Sequence, residues 1–196
     1  IHKEKDLRIN SVETPSINLE DIKVKIERGG ICGSDLHYYN NGGFGTNRLK
    51  EPMILGHEVS GTISKIGSSV SGFKVGDLVA VSPSRPCKSC EFCLSGVAMQ
   101  CLDMKFYGSA MRFPHIQGAF REELVASSSQ CVVANGLSPS QAAMVEPLAV
   151  VLHAVKQAGP IFGKNVLVTG AGPIGLLTIL AVKSAGASNI VVTDIS

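Results

Sequence analysis

The sequence predicts a two-part protein: a β-rich domain over residues 1–150, then the opening β-α-β unit of a parallel nucleotide-binding sheet over residues 151–196. Three observations carry this expectation. Short apolar segments separated by glycine fill the first part, a pattern of short strands and turns. Helical patterning replaces it after Ser138. The chain then closes on an apolar strand, a glycine-rich turn, an apolar helix and a second apolar strand, which together make one β-α-β unit.

Residues 22–28, IKVKIER, alternate apolar and charged side chains, the period of a half-buried strand. Residues 59–66 and 78–81 are further short strands, separated by Gly67, Gly72 and Gly76, and residues 120–126 and 130–133 add two more. Gly42, Gly43 and Gly45 mark a mobile loop before Pro52. Residues 138–158 read mainly as helix, with Ser138 as N-cap, Gln141 three residues on and Pro139 in the first turn. Pro147 is expected to divide this stretch into two helices with Glu146 at the junction. A strand over 165–169, a helix over 174–184 stopped by Gly186, and a strand over 189–193 complete the chain. Two parallel strands leave open edges and a bare face, so the natural polypeptide is expected to continue past Ser196.

With 44% apolar residues, the chain can build a core. Eighteen basic against sixteen acidic residues leave a net charge of +2, which predicts neither a nucleic-acid partner nor a membrane surface. The longest apolar run, residues 173–182, is too short to span a bilayer, and the N-terminal stretch has no signal-peptide core. Six cysteines in a chain of this kind read as metal ligands in a reducing, cytoplasmic compartment rather than as disulfides. Cys131 fits neither candidate metal cluster and reads as a buried thiol on a strand.

The turn Gly170-Ala171-Gly172-Pro173-Ile174-Gly175 has the G-x-G-x-x-G form. Gly170 permits the tight turn, Gly172 lets a pyrophosphate approach the backbone, and Gly175 lets the helix pack against the sheet. Free N–H groups at the helix start then face the phosphates. Asp194, ending the next strand, stands where an acid binds the adenosine ribose diol. A carboxylate there favours NAD over NADP; Ser196 could contact a phosphate, so NADP stays open.

Cys87, Cys90, Cys93 and Cys101 have the spacing C-x2-C-x2-C-x7-C. Four thiolates close a tetrahedral zinc site with no open position, so a metal there is structural. A second set comprises Cys32, His57, Glu58 and Glu146. Cysteine, histidine and carboxylate form a borderline-soft zinc set with room for a ligand that changes during turnover.

The pieces GICGSDLH, GHEVSG, CKSC-EFC-C, VEPLAV and VTGAGPIG run in order across the chain. In this they resemble the zinc-containing medium-chain dehydrogenase/reductase family, sorbitol (polyol) dehydrogenase branch. The resemblance implies a GroES-like catalytic domain followed by the start of a Rossmann domain, one catalytic and one structural zinc, and a dimer or tetramer. It implies that Cys32 and His57 are catalytic zinc ligands, and that Glu58 is a ligand in some states. Glu146 would touch the zinc or hold a zinc-bound water. Asp35 would accept from the non-ligating nitrogen of His57. Ser34 would pass on the substrate proton, with His37 at the solvent end. The implied activity is reversible hydride transfer from a secondary alcohol to NAD(P).

Two stretches, residues 37–58 and 106–125, resemble members acting on a sugar acid more than animal sorbitol dehydrogenases. This implies oxidation of L-idonate at C5, with sorbitol or L-iditol as the alternative. A catalytically silent binding or structural protein is a remote third reading. A sugar acid requires a cation, and Arg112 is the first candidate, ahead of Arg121, Arg48, Lys50 and His115.

Overall fold

The computed structural model describes residues 1–195; Ser196, offered above as a phosphate contact, lies outside the described residues. The chain divides into two compact units, Ile1–Met144 and Val145–Ser196. Among the described residues, no helix is long and apolar enough to cross a membrane.

In chain order, the first unit contains β1 (Asp21–Gly30), α1 (Gly33–Asn41), β2 (Gly43–Phe44), β3 (Asn47–Arg48) and β4 (Glu58–Ile66). It continues with β5 (Leu78–Val81), β6 (Ser84–Arg85), α2 (Glu91–Leu94), β7 (Lys105–Phe106), β8 (Glu123–Ser127), β9 (Cys131–Val133) and α3 (Pro139–Ala143). Five strands form an antiparallel sheet in the order β8-β1-β4-β5-β9. The alternation in β1 buries Ile22 and Val24 against Val59, Ile63, Val79, Val81, Leu124 and Ala126. Each of these valine, leucine and isoleucine side chains contributes roughly 1.5–3 kcal/mol on burial. This core anchors the ends of β1 and β4, where the metal-competent residues lie.

Pairing of β1 with β4 runs from Ile22↔Ile66 to Gly30↔Glu58, with irregularities between Lys23 and Val24 and between Ile26 and Arg28. These shifts bring Gly30 opposite Glu58. Cys32, two residues past the end of β1, therefore meets His57, which immediately precedes β4.

Two sequence expectations are corrected here. The Gly42–Gly45 stretch carries regular structure where a loop was expected: Gly42 closes α1 in the left-handed region (φ 64°), and β2 pairs with β3. The strand expected over residues 120–126 begins only at Glu123. The residues before it pair elsewhere, with Gly118, Ala119 and Phe120 N–H donating to the carbonyls of Ile54, Gly56 and Leu55. Phe120 is thereby drawn to the segment that leads into His57.

The helical stretch does divide in two, but not where the proline rule put the break. Ser138 and Gln141 form a capping box and Pro139 opens α3. The junction is Met144, and Pro147 sits in the first turn of α4 (Val145–Ala158). A first-turn proline loses no helical hydrogen bond, because N–H groups there have no partner within the helix.

The second unit contains α4, β10 (Asn165–Thr169), α5 (Pro173–Ser184) and β11 (Asn189–Thr193). β10 and β11 are parallel, in register from Asn165↔Asn189 to Thr169↔Thr193. Val151, Leu177 and Ala181 join α4 to α5.

Candidate functional site

The sulfur lobe is built by local backbone. Lys88 adopts φ 64°, turning the chain between Cys87 and Cys90 so that Ser89 and Cys90 N–H both donate to Cys87 Sγ, at 3.5 and 3.3 Å. Cys87 and Asp103 N–H donate to Cys101 Sγ at 3.1 and 3.3 Å. Such donors stabilise thiolate over thiol. They draw Cys87 down to about 6, Ser89 N–H foremost, while burial pushes Cys93 up to about 12. All four sulfurs lie within 4.8 Å of one another, and Cys87 Sγ is 3.9 Å from Cys93 Sγ. A tetrahedron with Zn–S bonds of about 2.3 Å has an edge of about 3.8 Å, so the sulfurs fit a closed zinc site.

The second cluster joins Cys32, His57 and Glu58, with ligand atoms again within 4.8 Å. His57 and Glu58 are buried and Cys32 half-buried. The Cys32 thiol is held below its ordinary value, first by its hydrogen bond with His57 and then by Ser34, against the opposing effect of burial. Glu58 is raised, first by burial and further by the neighbouring Asp35 charge, although His57 opposes this. A thiolate, an imidazole and a carboxylate fit zinc with one coordination position left open. Glu146 lies in the second unit, on α4, and is not one of the three residues whose ligand atoms converge.

Helix α1 carries the remaining expected groups. Ser34 is half-buried at its start, and His37 is exposed one turn on, with its ring 5.8 Å from that of Phe44. Asp35 is only 3% exposed. Its oxygens accept from Cys32 N–H at 3.0 Å and Gly56 N–H at 3.1 Å, so the carboxylate reaches the main chain of both ligand segments.

Three contributors escaped the sequence reading. Phe106 sets its ring 5.3 Å from that of His57. Phe120 packs over Gly29 and Gly56, and a side-chain carbon on Gly30 would collide with the Glu58 carboxylate. The glycines preceding Cys32 and His57 were the only available signal, because the residues that need their bareness lie far away in sequence.

Arg112, the expected substrate cation, is engaged within its own lobe. Its Nε donates to Met104 O at 2.9 Å and its guanidinium pairs with Asp103. His115 is likewise engaged: its Nε2 accepts from Lys50 N–H at 2.8 Å and its Nδ1 lies 2.7 Å from Arg112 O. Arg48 reaches Asn41 O, and Arg121 Nε donates to Gly118 O.

In the second unit, a cavity of about 490 Å³ is lined by Thr169, Gly170, Gly172, Pro173, Ile174 and Gly175, among others. Gly170 N–H donates to Thr193 O at 2.7 Å, tying the turn to β11. Asp194 accepts from Ala171 N–H, so the acid lies beside the glycine turn.

An alcohol dehydrogenase GroES-like domain model matches residues 18–136. The chain is 48% identical over 174 residues to L-idonate 5-dehydrogenase (NAD(P)(+)) of Escherichia coli strain K12, covering 88% of this chain and 50% of that protein. It is 38% identical over 196 residues to sorbitol dehydrogenase of Bacillus subtilis strain 168, covering 100% of this chain and 54% of that one. The crystal structure of L-idonate 5-dehydrogenase from Escherichia coli superposes with TM-score 0.94 at 43% identity, covering 100% of this chain and 56% of that chain. The chain therefore spans about half the length of these relatives. Its β-rich unit is a GroES-like domain and its second unit begins a Rossmann fold. With both zinc-type ligand clusters and this likeness, the chain belongs to the zinc-containing medium-chain dehydrogenase/reductase family.

Proposed function

We propose that the whole protein is a zinc-dependent, NAD(P)-linked dehydrogenase that oxidises L-idonate at C5 to 5-keto-D-gluconate, reversibly. The observation that carries the chemistry is the convergence of Cys32, His57 and Glu58, three donor types that suit zinc, with ligand atoms within 4.8 Å of one another. The substrate rests on likeness to L-idonate 5-dehydrogenase. Zinc held by these residues supplies Lewis acidity to an alcohol oxygen, and NAD(P) supplies the two-electron acceptor. In this reading Ser34 Oγ takes the substrate hydroxyl proton and His37, exposed one turn later, passes it to solvent. Glu146 serves the same centre as a ligand or as a hydrogen-bond acceptor for water. Gly170, Gly172 and Gly175, with the N–H groups of Ile174 and Gly175 at the start of the helix that Pro173 opens, cradle the pyrophosphate, while Asp194 takes the ribose diol and favours NAD over NADP. A dimer or tetramer belongs to the same proposal and rests on family membership alone.

A second reading, a neutral polyol such as sorbitol or L-iditol, is favoured by one observation: the Arg112 guanidinium already has partners in its lobe. The test is NADH formation by the full-length protein with L-idonate and with sorbitol. Faster turnover of L-idonate supports the first reading, and a clear preference for sorbitol hands the function to the second. His57→Ala should abolish turnover and leave NAD binding intact. Near-normal turnover by that variant would refute chemistry at this centre.

A further inference from the structure

We infer that Asp35 acts as a bracket that sets the spacing between the two metal-ligand segments through their main chain, before any metal is bound. The inference rests on the proposed metal site at Cys32, His57 and Glu58. Half of the bracket is an ordinary helix cap: Cys32 is the N-cap of α1, Asp35 is the third helical residue, and its carboxylate accepts from the Cys32 N–H. In a surface capping box the other carboxylate oxygen faces water. Here it accepts from Gly56 N–H, 21 residues away in sequence, in a buried setting. One rigid side chain thus holds the N–H of a ligand residue and the N–H of the residue just before His57.

Burial makes the arrangement a constraint rather than an incidental contact. A carboxylate that is 3% exposed must keep both of its donors, because water cannot replace them. Gly56 stands in the left-handed region, at φ 93°, so its N–H and the chain entering His57 take a direction that few other residues could adopt. Asp35 N–H also donates to Cys32 O at 3.1 Å, closing the cap from the other side. The carboxylate adds negative charge beside Cys32 and Glu58, an excess that a divalent cation offsets. Asp35 is therefore a positioning residue, acting on both ligand segments as well as on any single ligand ring.

The bracket is tested with Asp35→Asn in the full-length protein. Asparagine keeps the shape but presents one acceptor and one donor, so one of the two N–H groups loses its partner. Residue-resolved hydrogen exchange is measured with the lobe zinc retained and the second site emptied by a mild chelator. Zinc affinity of the second site is measured by chelator competition. The expected result is exchange at Cys32 or Gly56 about tenfold faster or more, with affinity falling about 10- to 100-fold, the scale for loss of a group that orients ligands. Cobalt substituted at the second site should show altered d–d bands, which a purely structural role elsewhere in the fold would leave unchanged.

Weakened zinc binding with unchanged exchange at both amides would overturn the bracket, because Asp35 would then act by another route. Faster exchange with wild-type affinity would overturn it as well. Should the variant fail to fold, the wild-type protein decides: protected Cys32 and Gly56 amides in the emptied site support the inference, and a freely exchanging Gly56 refutes it. None of these readouts uses turnover, so failure of the dehydrogenase proposal is distinguishable from failure of the bracket.

Discussion

Replacing Gly30 with alanine should empty the mixed-ligand site while sparing the sulfur lobe. Gly30 lies opposite Glu58 in the β1–β4 ladder. A Cβ there would overlap Glu58 Oε2 outright and press on Glu58 Cβ and Cδ at 3.2 Å. The Gly30 backbone is outside the left-handed region, so alanine itself is tolerated. The carboxylate must withdraw by roughly 1 Å or more to restore ordinary contact. Glu58 is buried, so it cannot simply swing into solvent. Crowding of this kind costs about 1–3 kcal/mol, or roughly 5- to 150-fold in zinc affinity if the whole strain is relieved by releasing the ligand geometry. Reduced unfolded-state entropy offsets part of the stability loss, by about 0.4–1 kcal/mol, so the fold should survive. Chelator competition with metal analysis is the assay. One zinc should remain tight and the other should weaken. In a Glu58→Ala background the carboxylate is gone and only the milder contact with Cβ remains, so Gly30→Ala should have a much smaller further effect. Two tightly bound zincs in Gly30→Ala, or an equal further loss in the Glu58→Ala background, would refute the reasoning.

Arg112→Met should loosen the sulfur lobe, because it removes the bond to Met104 O and the pair with Asp103 beside Cys101. The pair is partly exposed, so the stability change should be no more than about 1 kcal/mol, and limited proteolysis should detect earlier cleavage near the lobe. A loss confined to L-idonate turnover, with the lobe unchanged, would assign Arg112 to substrate recognition. Cys131 gives a pH prediction: burial pushes its thiol up to about 12, from about 9 when unfolded. The unfolded state releases a proton that the folded state keeps, so this contribution is complete below about pH 9 and is lost as pH rises toward 12. The expected slope is about 1.4 kcal/mol per pH unit. Urea midpoints of wild type and Cys131→Ala across that range check it, and parallel curves would show that the thiol does not titrate as stated.

Whatever depends on near neighbours was legible along the chain. The four-cysteine spacing, the glycine turn between β10 and β11, and the Ser138–Gln141 cap each involve residues a few positions apart, where local geometry leaves few alternatives. Cys32, His57 and Glu58 were legible as ligand types because cysteine, histidine and carboxylate form a borderline-soft zinc set. Their convergence was decided by tertiary structure, through a β1–β4 register containing two irregularities that set Gly30 against Glu58. The same is true of Asp35 reaching Gly56, Phe120 leaving its expected strand to cover the glycines, and Asp103 taking the Arg112 guanidinium. Pro147 shows the converse: its helix-breaking tendency was visible, but the turn at Met144 placed it where a proline breaks nothing. Spacing along the chain specifies which groups can act together only over a turn or two; beyond that, strand register and the packing of buried side chains choose the partners.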